Sequence, residues 1–307
     1  MSTGRSIDWK AASCAPDPCL ICGSLAKQPL YPATYSGSME EAATYFLANR
    51  TATAHGPIVR CRDCGFVFTS PRFSNLEYDR IYRQVRSPAD LDPSFETAKA
   101  ARFQRLAAIV RKFQPCEAPF LDFGCGDGGF LRQFNSPGGR GFEIGTEGRR
   151  MVGRCEIVTG DWATVAGSRF RPATFDFVVA FDVLEHLPRI GEDLALIRTV
   201  LRTGGHFFVS VPNSESFVAK AMGKHWNMLL LEHLWYFSPK TLERMMARYG
   251  FALLAIRSVP YDAPLVHLVT RLAQTFGMTG TFKGGPISRL VLPIPAGIML
   301  GVFRKTS

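Results

Sequence analysis

The sequence has no uninterrupted apolar run of about 18 residues, the length that a membrane-spanning helix needs. Its most apolar stretch, LVLPIPAGIMLGVF at 290–303, contains two prolines, and we expect it to form a core strand. The first residues, MSTGRSIDWKAASC, lack the apolar segment of a secretory signal. We therefore expect a cytoplasmic protein with no transmembrane segment. Peripheral contact with a membrane stays open, because the region 262–303 is apolar enough to lie against an interface.

Runs of like charge are also absent, although the chain has 36 Lys and Arg residues against 26 Asp and Glu, a formal net charge of +10. This excess indicates an anionic partner, such as a nucleic acid, an acidic membrane surface or a phosphorylated small molecule. A basic surface without a specific partner explains the charge equally well. With 307 residues, 46% of them hydrophobic, the chain is long enough to bury one large core and a smaller one.

Cysteine is scarce, with eight residues, but four of them form two C-x-x-C pairs, CLICG and CRDCG. These four are Cys19, Cys22, Cys61 and Cys64. Two such pairs supply the four thiolates of a closed tetrahedral zinc site, which holds a fold together and leaves no position for water. Gly23 and Gly65 follow the pairs and permit the positive φ that such turns need. Disulfides are the alternative, disfavoured because nothing in the sequence indicates an oxidising compartment.

The order of sequence patterns predicts three parts: a zinc-binding domain at 1–72, a helical connector at 73–115 and an α/β domain at 116–307. Within the first part, 26–60 is expected to be irregular apart from a short helix. From 116 onwards strand and helix patterns alternate, which predicts a mostly parallel sheet with helices on both faces. In this scheme EGRRMV at 147–152 is a short helix.

The stretch LDFGCGDGGF at 121–130 has glycines in the spacing G-x-G-x-x-G, typical of loops that bind a dinucleotide pyrophosphate. Asp122, however, stands two residues before the first of them. A carboxylate at that position repels a pyrophosphate, whereas it attracts a ligand that carries an ammonium and a sulfonium, such as S-adenosylmethionine.

Polar and aromatic residues end three further predicted strands at the same edge of the sheet. Glu143 lies 17 residues after Gly126, where an acidic residue holds two ribose hydroxyls. Asp161 is placed to accept from an adenine amino group, with Trp162 beside the ring, and the last strand ends in FDVLEHL. The predicted cosubstrate-binding residues are Asp122, Gly124, Cys125, Gly126, Glu143, Asp161, Trp162, Phe181 and Asp182.

Over 116–260, LDFGCGDGG and FDVLEHL resemble the motifs of class I S-adenosylmethionine-dependent methyltransferases. The resemblance implies a Rossmann-like, mostly parallel sheet of seven strands. The whole chain, through CLICG, CRDCGFVF, IYRQV and LEHLWYFSPKTLERMMARYGF, resembles the zinc-binding subgroup that includes sugar C-methyltransferases and polysaccharide-tailoring enzymes. This implies methyl transfer to a small-molecule acceptor, such as a sugar, a nucleotide sugar or a polysaccharide or lipid-linked intermediate, and the basic charge allows an anionic one.

In the sugar C-methyltransferases a Glu-His pair like Glu232 and His233 is associated with acceptor chemistry, which implies His233 as general base. A tyrosine usually stands two positions before that Glu, but here the residue is Leu230. His186, directly after the FDVLE turn, is the alternative base, and Tyr82 of the connector is a further acceptor-side candidate. Structural roles, at a helix start for the histidines and in the core for Tyr82, are the competing interpretation.

Two other function classes stay open. An RNA methyltransferase would account for the charge and the zinc module, but the aromatic platforms and basic arms of RNA-binding proteins are not visible, so RNA is disfavoured and DNA is not expected. FDVLEH is also not the Asn/Asp-Pro-Pro-aromatic turn of enzymes that methylate base amino groups. The second alternative is a non-catalytic protein that only binds the cosubstrate.

Overall fold

The structure, a computed structural model, describes residues 7, 9, 17–46, 54–84, 93–144, 148–265, 269 and 290–307. Cys14 and most of the predicted helical stretch between the last two strands lie outside these residues. The described strands are β1 (Lys27–Tyr31), β2 (Ile58–Cys61), β3 (Val67–Thr69), β4 (Phe120–Phe123), β5 (Gly139–Ile144), β6 (Gly148–Val152), β7 (Cys155–Gly160), β8 (Phe175–Phe181), β9 (Leu201–Pro212), β10 (Trp235–Tyr236), β11 (Phe251–Pro264) and β12 (Val291–Lys305). The described α-helices are α1 (Met39–Ala42), α2 (Asn75–Gln84), α3 (Pro93–Val110), α4 (Gly129–Phe134), α5 (Trp162–Arg169), α6 (Ile190–Val200), α7 (Phe217–Met222) and α8 (Pro239–Arg248).

A small antiparallel sheet contains the N-terminal strands in the order β1-β2-β3-β10. The expectation that 26–60 is irregular was wrong at both ends, where β1 and β2 form and pair with each other. These strands are too short for a clear alternation of apolar and polar residues, and pairing defines them instead. The fourth strand comes from far along the chain, with Trp235 opposite Phe68 and Tyr236 opposite Val67.

The large sheet has eight described strands in the order β11-β12-β9-β8-β4-β5-β7-β6, one more than the seven expected. The five strands β4, β5, β7, β8 and β9 are parallel to their neighbours in the centre, as predicted. The additional strand is β6, because the helix predicted at EGRRMV was wrong. Gly153, at a φ of 59°, turns the chain back tightly, so that β6 pairs antiparallel with the open edge of β7.

Helices cover both faces of this sheet, which confirms the predicted layering. One buried cluster joins α3 and α4 to the sheet and includes Val110, Phe130 and Phe177. The cluster on the opposite face joins α5 and α6 to the sheet and includes Leu194 and Val178. This burial fixes the central strands, so their carboxyl ends meet at one edge of a rigid scaffold.

In the described ranges, none of the helices combines the length and the apolar character needed to cross a membrane. The apolar stretch near the C-terminus forms β12, which pairs with β9 on one side and β11 on the other. Its residues from Ala296 to Phe303 are buried. The prediction of a core strand is therefore confirmed.

Candidate functional site

A cavity of about 290 Å³ lies at the carboxyl ends of β4, β5, β7 and β8. Eight of the predicted site residues line it: Tyr82, Gly124, Glu143, Asp161, Trp162, Asp182, His186 and Glu232. The other predicted residues of the two groups, Asp122, Cys125, Gly126, Phe181 and His233, are not part of its described wall. A larger cavity, of about 380 Å³, lies between the small sheet and α7 and contains none of the predicted residues. Ligands of open parallel sheets bind at the carboxyl ends of the strands, so the smaller cavity is the candidate functional site.

Gly124 begins the turn after β4 and has no room for a side chain. Its φ is 75°, and a Cβ atom there would lie 2.5 Å from a methyl group of Val183. The backbone N–H groups of Gly124 and Cys125 both donate to the carbonyl of Phe142, at 2.9 and 3.0 Å, which holds the turn against β5. The glycine thus lets the first strand end and the turn after β8 approach closely at the cavity.

Two carboxyl groups flank this turn. Glu143 accepts from the N–H of Gly126 at 2.5 Å and from that of Ile144 at 3.2 Å, and burial still raises its pKa. Asp122 is 3% exposed beneath the turn, and its Oδ2 has no hydrogen-bond partner among the described residues. Burial, followed by the charges of Glu143 and Asp127, raises the pKa of Asp122 well above its usual value. A cation in this place would stabilise both carboxylates.

The end of β7 supplies a capping carboxylate and an aromatic wall. Asp161 is the N-cap of α5, where its Oδ1 accepts from the N–H and the hydroxyl of Thr164 at 3.0 and 3.1 Å. The ring of Trp162 packs against Phe123 and Phe142, with centroids 4.9 and 4.8 Å away. These contacts fix both side chains at the cavity wall, and Asp161 has a structural role there as a helix cap.

Asp182, directly after β8, is held by a partner that the sequence analysis missed. It has a φ of 58°, and its carboxylate accepts from Arg102 Nη2 at 2.7 and 2.5 Å and from the hydroxyl of Ser210 at 3.0 Å. Arg102 lies inside α3, 80 positions earlier, and no local pattern marks it. Phe181 packs instead into the core, 5.0 Å from Phe130 between ring centroids.

The acceptor-side candidates lie together, with Glu232 and His233 buried and Tyr82 and His186 partly buried. Tyr82 Oη donates to the carbonyl of His186 at 3.2 Å. A ring nitrogen, Nδ1, of His186 lies 3.1 Å from the Glu232 carbonyl, and Nδ1 of His233 lies 2.8 Å from the Met228 carbonyl. Because a carbonyl only accepts, Nδ1 carries the proton in both rings and Nε2 keeps its lone pair.

Burial sets the charge of this group. It lowers the pKa of His186 to about 4 and that of His233 well below its usual value, so both imidazoles are neutral near pH 7. It also raises the pKa of Glu232, which is 5% exposed, to about 7. His186 and Glu232 line the cavity, whereas His233 lies behind them, its ring centroid 4.7 Å from that of His186.

The cavity wall contains more acidic side chains than the sequence analysis predicted. Its carboxyl groups belong to Asp79, Glu143, Asp161, Asp182, Glu192, Asp193 and Glu232, against Arg189 as the one Arg or Lys of the described wall. Arg189 itself pairs with Asp79 at 2.6 Å and thereby joins α2 to the start of α6. The cavity is therefore suited to a cationic ligand, and it gives no support to an anionic group near the reacting atoms.

The four paired cysteines converge as predicted. Sγ of Cys19 lies 3.4 Å from that of Cys64, and Sγ of Cys22 lies 3.5 Å from that of Cys61. All four sulfur atoms lie within 4.8 Å of one another, and all four are free thiols. Zn–S bonds of about 2.3 Å in a tetrahedron place sulfurs about 3.8 Å apart, so the cluster fits zinc and not disulfides. The glycines after the two pairs have φ of 75° and 78°, in agreement with the predicted turns.

Comparison with known proteins gives a family. Residues 96–256 match the family model described as a methyltransferase domain. Among curated proteins, the ubiquinone biosynthesis O-methyltransferase of Cupriavidus pinatubonensis is 25% identical over 158 residues, 46% of this chain and 63% of the relative. That of Chromobacterium violaceum is 23% identical over 202 residues, 61% and 87% of the two chains.

Solved methyltransferase structures are also similar. The 1,6-didemethyltoxoflavin-N1-methyltransferase of Burkholderia thailandensis, which contains S-adenosylhomocysteine, has 17% identity and a TM-score of 0.47, with 80% of this chain and 98% of that chain covered. A methyltransferase from Thermotoga maritima has 17% identity and a TM-score of 0.45, covering 69% and 92%.

We predict that Asp193 makes the protein less stable as the pH rises from about 4 to about 7. Burial, followed by the charges of Glu192, Asp161 and Asp79 against that of Arg189, raises the pKa of Asp193 from 3.8 to about 7. In this window the folded chain holds a proton that the unfolded chain has lost. The free energy of unfolding therefore falls with pH, by at most about 1.4 kcal/mol per pH unit. Urea denaturation of Asp193→Asn should give a flatter pH profile.

The control for this measurement is Glu117→Gln, which removes an exposed carboxylate outside the cavity. Its profile should follow that of the unchanged protein. Equal slopes for the Asp193→Asn variant and the unchanged protein between pH 4 and 7 would show that Asp193 is not the group responsible.

Proposed function

The chain belongs to the methyltransferase-domain family, and we propose that it transfers a methyl group from S-adenosylmethionine to a small-molecule acceptor. The observation that carries this proposal is the acidic cavity at four parallel strand ends. The ligand's ammonium and sulfonium groups are cationic, and the cavity wall contains seven carboxyl groups. Glu143, beside the glycine turn, is the proposed partner of the ribose hydroxyls. Asp161 and Trp162 are the proposed partners of the adenine ring.

For the acceptor we propose a neutral hydroxylated molecule of the sugar class. Carboxyl groups such as those of Asp79 and Asp193 can accept hydrogen bonds from its hydroxyl groups, and the resemblance to sugar C-methyltransferases supports the same class. The relatives named as ubiquinone biosynthesis O-methyltransferases suggest a hydroxylated precursor of ubiquinone as the competing acceptor. An RNA acceptor has less support, because phosphate groups would enter an acidic cavity.

Proton removal from the acceptor is assigned to Glu232 in this proposal. Its carboxyl group lies on the cavity wall, while His233, the base expected from the sequence, does not line the cavity. His186 also lies on the wall, and Tyr82 fixes the turn that carries it by donating to its carbonyl. Methyl transfer then requires the acceptor oxygen or carbon, the methyl group and the sulfur to be in line, and positioning supplies much of the rate.

We predict that Glu143→Gln weakens binding of S-adenosylhomocysteine about 10- to 100-fold. Hydrogen bonds to a charged acceptor contribute roughly 1.5–3 kcal/mol each, and the amide accepts less strongly. Isothermal titration calorimetry measures the affinity. Glu156→Gln is the matched control, because Glu156 lies on the adjacent β7 and its carboxylate pairs with Arg140 and Arg149 at 3.6 and 3.5 Å. Equal affinities of all three proteins would place the ribose elsewhere.

Turnover should fall about 10²- to 10⁴-fold in Glu232→Gln, the usual contribution of a general base, while the affinity for S-adenosylhomocysteine stays the same. Formation of S-adenosylhomocysteine is followed with methyl-labelled cosubstrate and a panel of sugars, nucleotide sugars and phenols. Glu243→Gln, an exposed position of α8, is the control. Full activity of Glu232→Gln together with loss in His233→Ala would assign the base to the histidine. Tight cosubstrate binding without turnover on any acceptor would favour the non-catalytic alternative.

The purified protein should contain one zinc ion per chain in the four-cysteine cluster. We expect Cys61→Ser to lose this zinc and to unfold the small sheet, because metal-binding free energy is folding free energy here. Elemental analysis and circular dichroism measure both effects. Cys116→Ser, which removes an exposed thiol outside the cluster, is the control. Folded protein free of zinc would contradict the assignment.

A further inference from the structure

A second group of metal-ligating side chains lies next to the cavity, separate from the four cysteines. One ligand atom from each of Glu185, His186 and His233 lies within 4.8 Å of the others. Two segments distant in sequence supply them, the turn after β8 and the chain before β10. Leu234 N–H donates to the carbonyl of Glu185 at 2.8 Å, which holds the two segments together.

We propose that Glu185, His186 and His233 bind one divalent cation. Each imidazole donates its Nδ1–H to a backbone carbonyl, of Glu232 or of Met228, which leaves Nε2 to bind a metal ion. This is the outer-shell arrangement that fixes the tautomer of metal-ligating histidines. Two imidazoles and one carboxylate suit Mn²⁺, Fe²⁺, Co²⁺ or Zn²⁺.

The burial of Glu185 points independently to a ligand. The side chain is 1% exposed, and its Oε2 has no hydrogen-bond partner among the described residues. An unpaired carboxylate in such a place is costly, and it needs either a proton or a cation. A protonated Glu185 would offer one O–H donor to the Nε2 lone pairs of two imidazoles, so one lone pair would stay without a partner. A cation binds the carboxylate and both imidazoles together.

The proposed ion gives the acceptor site a Lewis acid, and this role rests on the proposed function. His186 is a ligand and also part of the cavity wall, so the ion would lie at the acceptor side, next to Glu232. Held by these three residues, the ion would supply Lewis acidity that lowers the pKa of an acceptor hydroxyl, and Glu232 would take up the proton as the acceptor oxygen receives the methyl group. The sulfur leaves as a neutral thioether, so charge and atoms balance.

Mn²⁺ tests the site without any methyl acceptor. It lies at the weak end of the divalent series and prefers oxygen and nitrogen ligands, so it does not displace zinc from four thiolates. The protein as purified is titrated with Mn²⁺, and binding is read from the loss of the free-ion electron paramagnetic resonance signal. We expect one ion per chain, and at least tenfold weaker binding in both Glu185→Gln and His233→Gln. His225→Gln, an exposed histidine outside the group, should bind as the unchanged protein does.

Binding of S-adenosylhomocysteine is measured on the same samples. A variant that still binds S-adenosylhomocysteine is correctly folded. If such a variant no longer binds Mn²⁺, the result supports the proposed metal site. Absence of Mn²⁺ binding by unchanged protein that binds S-adenosylhomocysteine overturns the metal site and leaves the proposed function intact. Mn²⁺ binding that is equal in all variants also overturns it, because the ion then lies elsewhere. Absence of S-adenosylhomocysteine binding by unchanged protein that binds Mn²⁺ contradicts the proposed function alone.

Discussion

The pairing of β10 with β3 determines where Glu232 lies on the cavity wall. Thr69 N–H donates to the carbonyl of Leu234 at 2.9 Å, and the Thr69 hydroxyl donates to that of His233 at 3.0 Å. On the other side of the same segment, the carbonyl of Glu232 accepts from His186. The segment that carries Glu232 is therefore bonded to the small sheet and to the turn after β8 at once. Through this connection, the small sheet, whose strand β2 ends at Cys61, is joined to the wall of the cavity.

Aromatic packing reinforces the same connection. Trp235 stacks on Phe66 at 6.1 Å and 14°, Arg72 lies over its ring at 4.8 Å, and its indole N–H donates to the carbonyl of Leu187 at 2.8 Å. Burial of these rings supplies the free energy that orders a strand of only two residues, since its two residue pairs alone contribute little. The small sheet and the large sheet consequently share one buried cluster.

The parts of the site that the sequence predicted are those encoded locally. Gly124 and Asp182 lie in turns directly after buried strands, so their place at the sheet edge follows from the strand pattern alone. Arg102 was missed because a partner 80 positions away leaves no local pattern. The position of Arg102 relative to Asp182 is defined only when α3 packs on the sheet. The strand β6 was mistaken for a helix for a related reason, since it exists by pairing with β7. His233, predicted as the base, does not line the cavity, and its Nδ1 contacts the Met228 carbonyl at 2.8 Å, an arrangement that only side-chain geometry shows.

The sign of the charge in the cavity is opposite to that of the chain, and local charge decides what binds there. A net charge of +10 acts through solvent and is screened beyond about 8 Å at physiological ionic strength, whereas carboxylates on a cavity wall act at contact distance. An acidic wall stabilises a bound sulfonium, and in proportion it raises the barrier for transfer, because the positive charge disappears as the thioether forms. Burial moderates this effect, since Asp193 and Glu232, with pKa values of about 7, are ionised only in part at neutral pH. The same loss of charge weakens binding of the product. An acidic cavity of this kind therefore binds the cationic substrate more tightly than the neutral thioether, which favours release of the product.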